Sequence, residues 1–77
     1  MKYTQGSSVQ ICSRARIEEF QRSGRYRRKI EQAQLAYAGQ IAMVKWSGLY
    51  EGGGFVYQLD GVPGLWHEQL LEPVSRR

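Results

Sequence analysis

The stretch Gln40-Ile41-Ala42-Met43-Val44-Lys45-Trp46-Ser47, followed by Gly48-Leu49-Tyr50-Glu51-Gly52-Gly53 and then Gly54-Phe55-Val56-Tyr57-Gln58-Leu59, decides the fold. The two flanks are short, apolar and rich in β-branched and aromatic residues, and they lack helical spacing. The middle holds three glycines. Short runs of this kind on either side of a glycine-containing loop are the signature of a β-hairpin. Strands are expected over Gln40 to Ser47 and Gly54 to Leu59.

Toward the C-terminus, Asp60-Gly61 and Pro63-Gly64 are turn signals. Leu65-Trp66-His67 then reads as a short strand. Glu68 to Leu71 suits one helical turn. Glu72-Pro73-Val74 reads as a last strand, which Pro73 confines to an edge. Toward the N-terminus, Ser8-Val9-Gln10-Ile11-Cys12 alternates polar and apolar residues, as a half-buried strand does.

The segment 14–38 has a different period. Ser13 is placed to cap a helix that begins near Arg14, with Ile17 and Phe20 on one face and a break at Ser23-Gly24. Tyr26, Ile30, Ala33 and Tyr37 recur at helical spacing, which predicts a second helix from Arg25 to Ala38, closed by Gly39. The expected fold is therefore mainly β with a helical insert. About five short strands form a small closed or partly open barrel, and the helical segment lies between strands 1 and 2. All 77 residues belong to one domain, with the basic insert at 14–38 and the barrel core at 8–12 and 39–74.

A core this small stabilises a chain by only about 3–5 kcal/mol, so such domains lean on disulfides, metals or self-association. Cys12 is the only cysteine and His67 the only histidine, too few for a disulfide or the usual four-ligand zinc site. Self-association is the support left to expect. A lone cysteine fits a reducing compartment. With no leader pattern and no apolar run approaching the ~18 residues of a membrane span, a cytoplasmic protein with no membrane partner is expected.

The net charge is +4, and Arg14 to Lys29 holds seven basic residues against Glu18 and Glu19, a local net of +5. The whole positive excess lies in this segment. Arg22, Arg25, Arg27, Arg28 and Lys29 are the candidate partner-binding cations, suited to nucleic-acid phosphates or an acidic protein, or else to a merely solvated face. Trp46, Tyr50 and Trp66 are the candidate aromatic groove, able to stack on a peptide or on bases. Phe55 and at least one tryptophan are expected in the core.

No motif carries chemistry. No nucleophile is placed beside His67, which is expected to pack a partly exposed ring on the barrel wall. Cys12 reads as a small buried hydrophobe. The carboxylates Glu51, Asp60, Glu68 and Glu72 are dispersed. Gly52-Gly53-Gly54 is followed by a strand, whereas a phosphate-cradling loop leads into a helix. No cofactor is implied.

The residues Gly39-Gln40-Ile41, Gly54 to Gln58, Pro63-Gly64 and Leu70-Leu71-Glu72-Pro73-Val74 resemble SH3-like barrels of small mobile-element proteins. Two groups share them: the plasmid-borne type II dihydrofolate reductases, and short phage and prophage proteins that end in the Trp66-to-Val74 pattern. The resemblance covers 39–74 and the first strand, and it implies a fold. The reductase signature Val-Gln-Ile-Tyr is missing from the strand after Pro63-Gly64, which reads Leu65-Trp66-His67-Glu68. The expected function is a non-enzymatic binding module that presents a barrel face and a basic helix. The alternatives are a nucleic-acid-binding protein using 22–29 and a small oligomeric enzyme resembling that reductase.

Overall fold

A computed structural model describes residues 3–24, 26 and 29–74. The elements in chain order are β1 (Ser8–Ile11), α1 (Arg14–Arg22), α2 (Gln32–Leu35), β2 (Ile41–Leu49), β3 (Phe55–Leu59), β4 (Leu65–His67), a 3-10 turn (Glu68–Leu70) and β5 (Leu71–Pro73). The strands form one antiparallel sheet in the order β4-β3-β2-β1-β5. The chain is thus mainly β, and the sheet is open, with β4 and β5 at its edges.

β2 is the spine. Its first half pairs with β1, placing Val9 opposite Ala42, and its second half pairs with β3, placing Ser47 opposite Tyr57. Between the halves the register steps from Val44↔Leu59 to Trp46↔Gln58, so Lys45 is an extra residue on β2. Such a bulge bends and twists a strand, and here it lets one strand serve both halves of the sheet.

Two further links curl the sheet. Tyr3 donates its backbone N–H to Tyr57 Oη on β3 at 3.1 Å and its own hydroxyl to the Leu71 carbonyl on β5 at 3.3 Å. The Cys12 amide donates to the Leu70 carbonyl at 3.0 Å. The curled sheet closes over Val9, Ile11, Ile17, Val44, Tyr57, Leu59, Trp66 and Leu70, all fully buried. Each contributes roughly 1.5–3 kcal/mol of hydrophobic stabilisation.

The insert departs from expectation. α1 starts at Arg14, as the Ser13 cap predicts, and the Ser13 hydroxyl accepts from the Arg16 amide at 3.3 Å. Ile17 is buried and Gly24 takes a left-handed conformation. Of the helix expected over 25–38, however, only the four residues of α2 are helical among the described residues, and 25, 27 and 28 lie outside them. The Glu31 amide is held by Gln34 Oε1 at 3.1 Å, with Glu31 extended, so the helix starts only at Gln32. Residues 36–39 are turns. Tyr26 and Ile30 are buried while Ala33 is exposed. The apolar residues anchor an irregular strap at separate points and do not line one helical face.

α2 also protects an edge. Gln34, itself buried, donates through Nε2 to the Leu65 carbonyl on β4 at 3.0 Å. Gly64, at φ +80°, makes room for it: a Cβ there would lie 2.6 Å from the Gln34 amide group. An occupied edge carbonyl is one fewer acceptor for a stray strand.

Candidate functional site: an aromatic groove on β2

A groove of about 530 Å³ is lined by Trp46, Leu49, Tyr50, Glu51, Gly52, Val56 and Leu65. It lies where the second half of β2, its loop and β3–β4 meet. The bulge at Lys45 positions its first wall. Trp46 pairs with the exposed Gln58, so its indole turns to the outer face and lies across Gly48, where any Cβ would collide with the ring. Trp46 is 50% exposed and Leu49 80% exposed.

Tyr50 forms the second wall. Its amide donates to the Gly54 carbonyl at 3.0 Å, and the Gly53 amide returns to the Tyr50 carbonyl at 2.9 Å, closing a tight loop. The Tyr50 ring meets Tyr26 and His67 edge-on, at centroid distances of 5.1 and 5.6 Å. The groove lining mixes apolar side chains with polar groups, the latter at Tyr50, Glu51 and Gly52.

Behind Tyr50, His67 is buried, contrary to the partly exposed ring expected from sequence. Phe20 of α1 and Tyr26 of the strap cover it at 5.0 and 5.4 Å. Both ring nitrogens are engaged. Nδ1 accepts from the Gln69 amide at 3.1 Å, so the proton lies on Nε2, which donates to the Gly53 carbonyl at 3.1 Å. Neighbouring Glu68 Oε1 accepts from the Phe55 amide at 2.8 Å. This histidine and carboxylate pin the glycine loop through bonds to its backbone and to the Phe55 amide that follows it. Cys12 is buried, and burial pushes its thiol above the ordinary value, with Arg16 opposing more weakly. Among the described residues, no group of three or more His, Cys, Asp or Glu side chains could hold a metal ion. No described helix is long and apolar enough to cross a membrane.

The expected sites separate. Trp46 and Tyr50 share the groove. Trp66 does not: on β4 it pairs with Tyr57 and points inward, fully buried, because the strand alternates between the exterior at Leu65 and the core at Trp66. Of the expected cations, Arg22 and Lys29 are exposed, while Arg25, Arg27 and Arg28 lie outside the described residues. Nearby, Arg14 pairs with Glu18 at 3.3 Å and Arg16 with Glu72 at 3.7 Å, both at the surface.

Sequence reasoning missed Ile41, Met43 and Leu49 as surface residues. Ile41 and Met43 are 58% and 50% exposed. Their signal was the alternation itself: Ala42 and Val44 face inward opposite Val9 and Leu59, so Ile41 and Met43 must face out. Compared with known protein families, curated proteins and solved structures, the chain matches none.

Proposed function

We propose that the chain is a partly open SH3-like barrel acting as a non-enzymatic interaction module, cytoplasmic and of mobile-element type, that docks a macromolecular partner through its β2 groove. The strand order, the bulged central strand shared by both halves and the single 3-10 turn before the last strand support the barrel reading. One observation carries the docking reading: the four large exposed hydrophobics, Ile41, Met43, Trp46 and Leu49, all stand on one strand. Scattered apolar residues are ordinary on a surface, whereas a row of them marks an interaction site. Both ring nitrogens of His67 bond to the backbone, which supports a positioning role for this residue.

The experiment is affinity capture with wild-type protein against Trp46→Ala and Leu49→Ser. Both side chains are exposed, so the variants should melt near the wild type. A partner retained by wild type and lost by both variants is the expected result. Equal retention by all three would overturn the reading. Retention that depends on low salt, and is lost on neutralising Arg22 and Lys29, would shift the reading to nucleic-acid contact through the basic segment.

A further inference from the structure

We infer that the groove takes an arginine side chain from a partner protein. The inference rests on reading this groove as a docking site and names what enters it. Strand pairing places the walls. Trp46 on β2 is opposite Gln58 on β3, and Gln58 is opposite Leu65 on β4, so the three stand in one row on the same face of the sheet. In the next row on that face, Gly48 is opposite Val56. Val56 is buried and gives the groove an apolar floor.

The two rings of the groove rest on bare backbone. The Trp46 indole reaches over Gly48 and the Tyr50 phenol over Gly52, and a Cβ on either glycine would collide with the ring. Tyr50 is held further by its contacts with Tyr26 and His67. Trp46 stays half exposed. The groove thus offers aromatic surface at fixed positions.

Its charge is of one sign. Glu51 is the charged side chain of the lining, and no lysine or arginine among the described residues joins it there. In a chain of net charge +4 this reverses the overall balance. Other carboxylates are occupied within the fold: Glu18 faces Arg14, Glu72 faces Arg16, and Glu68 holds the Phe55 amide. Glu51 is exposed and enters no ion pair among the described residues.

Aromatic rings beside an uncommitted carboxylate suit a cation, because the ring face is the negative part of its quadrupole. Arginine meets both features at once. Its planar guanidinium stacks on a ring while its N–H groups donate to a carboxylate, and it is less tightly hydrated than an ammonium. A nucleic acid fits less well, since stacking its bases here would bring phosphates toward Glu51.

Two-dimensional NMR of the full chain tests this, because its two indole N–H signals report separate places, Trp46 in the groove and Trp66 in the core. The probe is a short blocked peptide with one arginine among glycines and serines. Its control carries citrulline, the neutral isostere, at that position. Titration to about 20 mM covers the millimolar range that one cation–π contact and one exposed ion pair support. The expected result is a saturable shift of the Trp46 signal with the arginine peptide, no change at Trp66 and little response to citrulline. Glu51→Gln should weaken binding about three- to fivefold with an unchanged melting temperature. Glu19→Gln, which removes the same charge from an exposed position of α1, should bind like wild type. No saturable shift, equal shifts with citrulline, or full affinity in Glu51→Gln overturns the inference. So do saturable Trp46 shifts produced by short single-stranded DNA in place of the arginine peptide. If partner capture is lost in Trp46→Ala but kept in full by Glu51→Gln, this inference falls and the docking reading stands.

Discussion

Tyr3 and Tyr57 tie the chain start to the middle of the sheet: the Tyr3 backbone amide donates to Tyr57 Oη on β3 at 3.1 Å, and their rings meet edge-to-face at 5.6 Å. Because Tyr3 also donates to the Leu71 carbonyl, a residue near the chain start spans from β3 to β5, strands that are not neighbours in the sheet. That bridge runs across the curl of this open sheet.

Tyr57→Phe should therefore destabilise the fold out of proportion to the single oxygen removed. It strands a buried amide donor, which costs about 1–3 kcal/mol. For a chain of this length each kcal/mol lowers Tm by roughly 4–8 °C. Thermal unfolding followed by circular dichroism measures it. An unchanged Tm would mean that water replaces the phenol and that the bridge is dispensable.

The same bridge makes a prediction about alkaline pH. Burial first, then the nearby Tyr57, Glu72 and Glu68, hold the Tyr3 hydroxyl above its ordinary value of 10.0. The folded state thus keeps its proton where the unfolded chain gives it up. The associated stability is fully present below about pH 10, the unfolded value, and is lost as pH rises through the higher folded value. Urea midpoints at rising pH should fall in that window, and Tyr3→Phe should flatten the fall. A wild-type curve that Tyr3→Phe leaves unchanged would assign the loss to other groups.

Cys12 should be slow to react. The thiolate is the reactive form, and burial both hides the sulfur and raises its pKa. Labelling with iodoacetamide near pH 7.5 should be much slower in the native protein than in urea. Equal rates would show that this corner between β1 and α1 opens readily.

The contact of Gly64 with Gln34 predicts a coupled pair. Gly64→Ala alone should cost about 1–3 kcal/mol, from a positive φ that L residues disfavour and from collision with a buried amide. With Gln34→Ala in the background the collision disappears and only the backbone term remains. A double-mutant cycle by urea denaturation should therefore be strongly non-additive. Additive costs would mean that the Gln34 side chain moves aside freely.

How far the residues announced this architecture differs from element to element. The strands and turns were legible because each carries its own local signal. Leu65-Trp66-His67 and its following turn form as read, and the Ser13 cap starts α1 where a hydroxyl can take up an orphan amide. The stripe Tyr26, Ile30, Ala33, Tyr37 misled because helical spacing does not require a helix. Its larger members are drawn to separate anchor points, Tyr26 against Phe20, Tyr50 and His67. The aromatic groove was half legible. Trp46 and Tyr50 meet there, but Trp66 and His67 belong to the interior.

Composition, period and turn chemistry were enough to establish a small β-rich domain with an insert after its first strand, because those properties act over a few residues. Which face each strand turns inward was decided only by the folded chain. A single extra residue at Lys45 reverses the alternation along β2, and whether a bulge forms depends on pairing with β1 and β3 at once. That step turns Trp46 outward, while packing against Tyr57 from the neighbouring strand keeps Trp66 in. The exposed apolar residues of β2 are a product of pairing between segments far apart in the chain.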